Sequence, residues 1–226
     1  MDLFWSLPDS RDLTGLRAPV DDLFGAVRSR DYENGASISD PEMAPERAFR
    51  CVSGTIKVTK LLVSGGEILI TILQSGAVWS DRAVLSGYWK GVFLEAMEPS
   101  QIVSVDAAAF ERCVCSSPEL LAIFMLQISD QVSDALTLLN DFRGRDVAPR
   151  LARILVRFSK QFGVPTEHGV RIELPVTHQD LANMIGTARE TVSRNMALFR
   201  QQGLVKDGHA ATLEILNLHS LEKLIV

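Results

Sequence analysis

An α+β architecture is expected for this chain: a small antiparallel β-roll, one long helix, and a C-terminal winged helix-turn-helix. Three observations point to it. Residues 35 to 110 hold short runs rich in β-branched side chains, separated by Gly and Ser. From Leu121 to Phe142 apolar residues recur at alternating steps of four and three. Residues 177 to 194, THQDLANMIGTARETVSR, read as two short helices joined by a tight turn.

The elements follow in chain order. Leu13, Leu16, Leu23, Phe24 and Val27 give the N-terminal segment a helical character, and its apolar face is expected to pack on the roll. Strands are expected at Thr55-Ile-Lys-Val-Thr-Lys after Ser53-Gly54, at Glu67-Ile-Leu-Ile-Thr-Ile-Leu after Ser64-Gly65-Gly66, and at Gly76-Ala-Val-Trp after Gln74-Ser75. Short strands at this spacing indicate a small antiparallel barrel or roll. Ser117-Pro118 opens the long helix, whose seam is Leu121, Met125, Ile128, Val132, Ala135, Leu139 and Phe142. A helix docked only on its own domain buries a wider stripe, so this narrow seam predicts a partner helix, most simply that of a second copy. Arg143-Gly144-Arg145-Asp146 breaks the pattern and marks a hinge.

Pro149 suits the first turn of the next helix, with an apolar face of Leu151, Ile154, Leu155, Phe158 and Phe162 and an end at Gly163. Val170-Arg-Ile-Glu-Leu is a strand leading into Thr177. Thr177 with Asp180, and Thr187 with Glu190, each set a hydroxyl three residues before a carboxylate, which can cap a helix start. Leu181, Ala182 and Ile185 keep helical spacing between them, and Gly186 supplies the left-handed residue at the turn. In the second helix Val192, Met196 and Phe199 form the anchoring stripe, leaving Arg189, Glu190, Ser193 and Arg194 facing outward. An outward Arg can donate twice to guanine in the major groove, and an outward Glu can accept from cytosine. Capping and base reading are compatible for Glu190. The runs 203–209 and 211–216 are two short strands about a turn, a wing with Lys206 and His209 near its tip, where they can reach phosphates. The resulting division is residues 1–117 for the roll, 118–144 for the dimerisation helix and 145–226 for the winged helix-turn-helix.

Composition narrows the function. The 226 residues are 46% hydrophobic, ample for a core, and hold no run long enough for a membrane span. Met1-Asp2-Leu3-Phe4-Trp5 lacks the basic-then-apolar pattern of an export signal, so a cytoplasmic location is expected. Cys51, Cys113 and Cys115 give neither a disulfide framework nor zinc-ligand spacing, and Cys113-x-Cys115 is read as inert packing on one face. No metal site, nucleophile with a neighbouring His or paired carboxylates in a pocket frame is found, so no enzyme is expected; His168, His178, His209 and His219 all lie in the C-terminal part, and His178 sits where a phosphate contact is the better use. The net charge of −5 is uneven: residues 1–144 carry −8, whereas residues 145–226 hold 11 Lys and Arg against 8 Asp and Glu. The positive charge gathers with the helix-turn-helix, as phosphate neutralisation requires.

With Gly186-Thr-Ala-Arg-Glu-Thr-Val-Ser-Arg194 preceded by Thr177-x-Gln179, Ser53-Gly54-x-Ile56-Lys57-Val58, and Ser117-Pro118-Glu119, the chain resembles the cyclic-AMP receptor and fumarate-nitrate regulator (CRP/FNR) family of bacterial transcription factors. Arg145-Asp146-x-x-x-Arg150-Leu151 and Phe162-Gly163-Val164-Pro165 are similar to its cyanobacterial global nitrogen regulator branch. The resemblance implies a cyclic-nucleotide-binding-like roll and a homodimer on double-stranded DNA, with RNA polymerase as a further partner; activator and repressor both stay open. It implies Arg189, Glu190 and Arg194 as base readers on a TGTGA-like half-site, with Thr177, Gln179 and Thr191 as phosphate contacts; Thr187, Ser193 and Lys206 complete the expected DNA-facing set.

The effector pocket departs from that pattern. Ser80-Asp81 stands where cyclic-nucleotide binders of the family carry Gly-Glu, Lys90-Gly91 stands near their Arg-Ser, and Ala135-Leu136 replaces the hydroxyls that meet adenine. Cyclic AMP is therefore not expected. Lys90 leaves a cation for a small dianion such as 2-oxoglutarate, by analogy with the nitrogen regulators. The competing reading is a sensor module of the cyclic-nucleotide-binding type that signals through a protein partner.

Overall fold

The computed structural model describes residues 14–39, 47–63, 65–80, 91–122, 125, 129, 136, 146–208 and 212–225. The chain divides into two compact units, 2–132 and 133–226, and each is described by itself.

In the first unit eight strands form two antiparallel sheets. The strands are β1 (Arg30–Tyr32), β2 (Ser37–Ser39), β3 (Arg47–Ser53), β4 (Thr55–Leu61), β5 (Glu67–Gln74), β6 (Val78–Ser80), β7 (Val92–Ala96) and β8 (Ser100–Asp106). One sheet runs β1-β8-β3-β6 and the other β2-β7-β4-β5. Alternation along the strands decides what each face meets. Phe49, Cys51 and Trp79 of the first sheet pack with Ile56, Val58, Leu73 and Leu94 of the second, in the core between them. Their neighbours Ala48 and Val78, with Val103 and Val105, face the other way. Helices α1 (Thr14–Gly25) and α2 (Ala107–Cys115) cover that outer face with Val20, Phe24, Phe110 and Val114. Gly54 joins β3 to β4 at φ +88°, and a Cβ there would lie 2.2 Å from Ser100 Oγ, so this hairpin needs glycine.

The expected strands at 55–60 and 67–73 are present, the one expected at 76–79 starts two residues later, at Val78, because left-handed Gly76 is still in the turn, and the N-terminal helix packs where its apolar face requires. Val27 is corrected: it lies beyond α1 and is exposed. Leu13 lies outside the described residues. Helix α2 replaces the strand-like reading of the run up to Phe110. Asp106 caps it by accepting from the amide of Ala109 at 3.0 Å, and Phe110 and Val114 are one turn apart on its buried side. Cys113 and Cys115 therefore sit two positions apart on a helix, which puts them on different faces rather than one.

Helical backbone resumes at 118–122, with Ser117 Oγ accepting from the amide of Leu120 at 3.2 Å. Leu120 is fully buried with the outer-face cluster of the roll, whereas the seam residues Leu121 and Met125 are exposed. Leu136, also helical, is exposed. Ile128, Val132, Ala135, Leu139 and Phe142, and the hinge at 143–145, lie outside the described residues.

The second unit contains α3 (Ala148–Phe162), β9 (Gly163–Thr166), β10 (Gly169–Ile172), α4 (His178–Ile185), α5 (Arg189–Gln201), β11 (Val205–Asp207), β12 (Leu213–Ile215) and α6 (Leu218–Lys223). Its antiparallel sheet runs β11-β12-β10-β9. Leu151 and Leu155 of α3, Ile185 of α4 and Met196 of α5 are almost completely buried, so the three helices share a core. Strand β9 lies outside the strands read from the sequence, and its Gly163 and Pro165 are unusual in a strand. It is tolerated at the sheet edge. Gly163 ends α3 in extended backbone, and a Cβ there would lie 2.0 Å from Ser159 O.

Candidate nucleic-acid interface

The two helices of the motif are set by different devices. At the start of α4 both halves of a capping box form: Thr177 Oγ1 accepts from the amide of Asp180 at 3.1 Å, and Asp180 Oδ2 accepts from the amide of Thr177 at 2.9 Å. At its end Gly186 is left-handed, φ 63° and ψ 52°, and its amide donates to Ala182 O. The turn releases the chain for α5, which starts at Arg189 with Ala188 as its cap residue and no side-chain cap bond. The expected Thr187–Glu190 cap is thus not formed. The helix begins one residue too late for Thr187 to stand at the cap position, and Glu190 is left without that partner.

Helix α5 presents two contrasting sides. Val192, Met196 and Phe199 are buried at 0%, 2% and 2% exposure, which fixes its rotation about its axis. Arg189, Glu190 and Arg194 are exposed, and among the described residues their side chains make no ion pair or hydrogen bond. Each exposed arginine keeps its planar donor fork for an outside acceptor. Thr187 and Thr191 are half-buried beside them. Ser193 is half-buried too, and its Oγ lies 2.9 Å from Nδ1 of His178, the first residue of α4. This outward candidate therefore faces the partner helix. Thr177 and Gln179 are exposed at the start of α4; Thr177 is engaged in the capping box, and Gln179 Nε2 donates to Asn183 Oδ1 at 2.8 Å.

The wing is tied to α5. Arg200 Nε and Nη2 donate to Asp207 Oδ1 at 3.0 and 2.9 Å, joining the last turn of α5 to β11. Lys206 lies within β11 rather than at the tip, and its ammonium pairs with Glu214 Oε2 at 2.9 Å. Glu214 also accepts from Thr166 Oγ1 at 2.6 Å, and that hydrogen bond, then Lys206, holds its carboxyl below the usual range. A phosphate would have to compete with Glu214 for Lys206, which makes it a sheet clasp before it is a contact. His209 lies outside the described residues. Burial, followed by the charge of Arg200, pushes the His178 imidazole below its ordinary value; Asp207 opposes this and Arg189 adds to it.

The effector candidates are only partly visible. Ser80 is buried at the end of β6, and among the described residues its Oγ has no hydrogen-bond partner. Asp81, Lys90 and Ala135 lie outside the described residues, and Leu136 is exposed. Among the described residues no three His, Cys, Asp or Glu side chains gather into a metal site. No described helix is long and apolar enough to cross a membrane.

Residues 149–224 match the Crp-like helix-turn-helix domain family. The chain is 28% identical over 181 residues to the "Global nitrogen regulator" of Synechococcus elongatus, covering 79% of this chain and 82% of that protein. It is 22% identical over 171 residues to the "cAMP-activated global transcriptional regulator CRP" of Pasteurella multocida, covering 75% and 81%. Among solved structures its fold is similar to a CooA mutant from Carboxydothermus hydrogenoformans, with TM-score 0.72, 23% identity and coverage of 100% of this chain and 96% of that one. FixK2 from Bradyrhizobium japonicum gives TM-score 0.70 at 21% identity, covering 88% and 98%. The antiparallel sheets, the two-helix motif with its capping box and wing, and these relatives converge: residues 149–224 form a Crp-like helix-turn-helix domain, and over most of its length the chain is similar to transcriptional regulators of the CRP/FNR type.

Proposed function

We propose that the protein binds a near-palindromic operator as a homodimer and reads each half-site with Arg189, Glu190 and Arg194. One observation carries the reading: these three side chains stand exposed and, among the described residues, unengaged on a helix whose opposite side is locked by Val192, Met196 and Phe199. Arginines meant only to decorate a solvated helix would be expected to pair with nearby acids, as Arg171 does with Glu173 and Arg200 with Asp207. Thr187 and Thr191 flank the readers, while Thr177 and Gln179 extend the surface toward the phosphate backbone. A gel-shift titration tests it: affinity for a promoter fragment should fall steeply with salt yet keep its preference over random DNA. Binding that is weak, salt-insensitive and without preference would instead favour a sensor signalling through a protein partner.

The homodimer rests on the central seam. Leu121 and Met125, the seam positions that are described, are exposed at 40% and 58%, beside a Leu120 that is fully buried. Covering such side chains by a second copy removes apolar area from water at about 25 cal/mol per Å². Leu121→Asp with Met125→Asp is expected to halve the mass measured by light scattering and to weaken operator binding by about tenfold or more, since two half-sites are no longer engaged together. An unchanged mass would place the interface elsewhere.

The departures at Asp81, Lys90, Ala135 and Leu136 favour a regulator that does not depend on cyclic AMP. A small dianion such as 2-oxoglutarate fits the remaining lysine chemistry, and contact with RNA polymerase fits the family's role in activation.

A further inference from the structure

His178 bridges the two helices of the motif, and the role inferred for it rests on the reading of α5 as the DNA-contacting helix. His178 is the first residue of α4 and is half-buried. Its Nδ1 is held 2.9 Å from Ser193 Oγ, so a bond across the two helices fixes the ring plane. Nε2 makes no hydrogen bond among the described residues. The charges acting on the ring are Arg189 and Arg200 from α5 and Asp207 from β11. Asp180 on its own helix is committed to the capping box with Thr177. Asp207 is likewise committed, to Arg200. In the free protein burial and the two guanidinium groups therefore oppose protonation of this imidazole.

A DNA backbone changes that balance. Arg189 is close enough for its charge to be felt at His178, so a duplex read by Arg189 brings phosphodiester groups into the same region. The ring then faces anions, and serine can serve it in either state: its oxygen accepts from Nδ1–H as readily as its hydroxyl donates to a bare nitrogen.

We propose that His178 binds a backbone phosphate through Nε2 as the imidazolium, with Ser193 accepting from Nδ1, so that operator binding takes up a proton at this residue in each chain. Ser193 is then a positioning residue and His178 the contact. The proton is held more tightly in the complex than in the free protein. The gain in affinity is therefore fully present at pH below the titration of the free ring and disappears as pH rises through that of the bound ring.

The test measures the dissociation constant of the full-length protein on its selected duplex from about pH 5.5 to pH 8.5 at fixed ionic strength. The wild type should bind more tightly at the acidic end by about tenfold or more, the equivalent of one pKa unit or more at a single ring. His178→Asn, neutral and still able to reach Ser193, should lose most of that dependence, and His178→Arg should bind with a flat profile. A His178→Asn profile as steep as that of the wild type overturns the proposal, as does a flat wild-type profile with binding intact. An NMR titration of the imidazole C–H signal checks the wild type directly: its midpoint must move to higher pH on adding duplex, and an unmoved midpoint overturns the proposal. Absence of DNA binding at every pH, in all three proteins, would remove the underlying reading of α5 instead, and this proposal with it.

Discussion

Replacing Arg189 and Arg194 together by Ala should reduce operator affinity to the level found on random DNA. A bidentate arginine–guanine contact contributes about 1–3 kcal/mol of discrimination, roughly 5- to 150-fold for each. Both guanidinium groups are exposed, and neither is required by the fold, since the packing of α5 is carried by Val192, Met196 and Phe199. The double variant should accordingly melt within about 0.5 kcal/mol of the wild type, as surface changes do. Loss on random DNA should be far smaller, because the remaining phosphate contacts are sequence-independent. The single variants should each relax preference at one base pair of the half-site, which competition with mutated duplexes reads out. Equal losses on cognate and random DNA would mean that the two side chains serve only as diffuse positive charge.

Phe199→Ala should act through the opposite side of the same helix. Phe199 is 2% exposed, and truncating a buried phenylalanine costs about 3–5 kcal/mol through lost transfer energy and the cavity left behind. Such a loss is a large part of the stability of a small domain, so the second unit should be substantially unfolded near physiological temperature and operator binding should fail with it. The β-roll core around Trp79, which is fully buried in the other unit, is untouched by the substitution. Circular dichroism should show loss of helical signal with strand signal retained. A variant that stays folded and binds operator normally would show that α5 is not held by this side chain.

The architecture was legible wherever one sequence period dominated. Alternation in 55–60 and 67–73, and the capping box with a left-handed glycine at 177–186, each specify local backbone through contacts among neighbours in the chain. The signal failed where tertiary context decides. Strand β9 contains Gly163 and Pro165 and survives because it is an edge whose one neighbour, β10, pairs with it in register. Helix α6, six residues long, is too short for periodicity to show, although Asn217 caps it by accepting from the amide of Ser220 at 2.9 Å. Helix α2 left a readable trace in Asp106 followed by three alanines and the pair Phe110 and Val114, which the neighbouring strand pattern obscured.

The site divides in the same way. The side of α5 that faces solvent follows from the spacing of its apolar anchors, so Arg189, Glu190 and Arg194 could be placed from residue order alone. What each polar side chain touches depends on elements distant in sequence. Lys206 is claimed by Glu214 of the adjoining strand, and Ser193 by His178, fifteen positions earlier. A phosphate-contacting position for His178 follows from its place at the start of the motif, whereas its bond to Ser193 across the two helices does not.

Selection of bound duplexes from a randomised pool tests the account most directly. It should yield a near-palindrome whose half-sites lie about one helical turn apart and resemble TGTGA, with the guanine positions losing their preference when Arg189 and Arg194 are replaced. A pool that stays random, or a single asymmetric site selected equally well by the double-arginine variant, would contradict it.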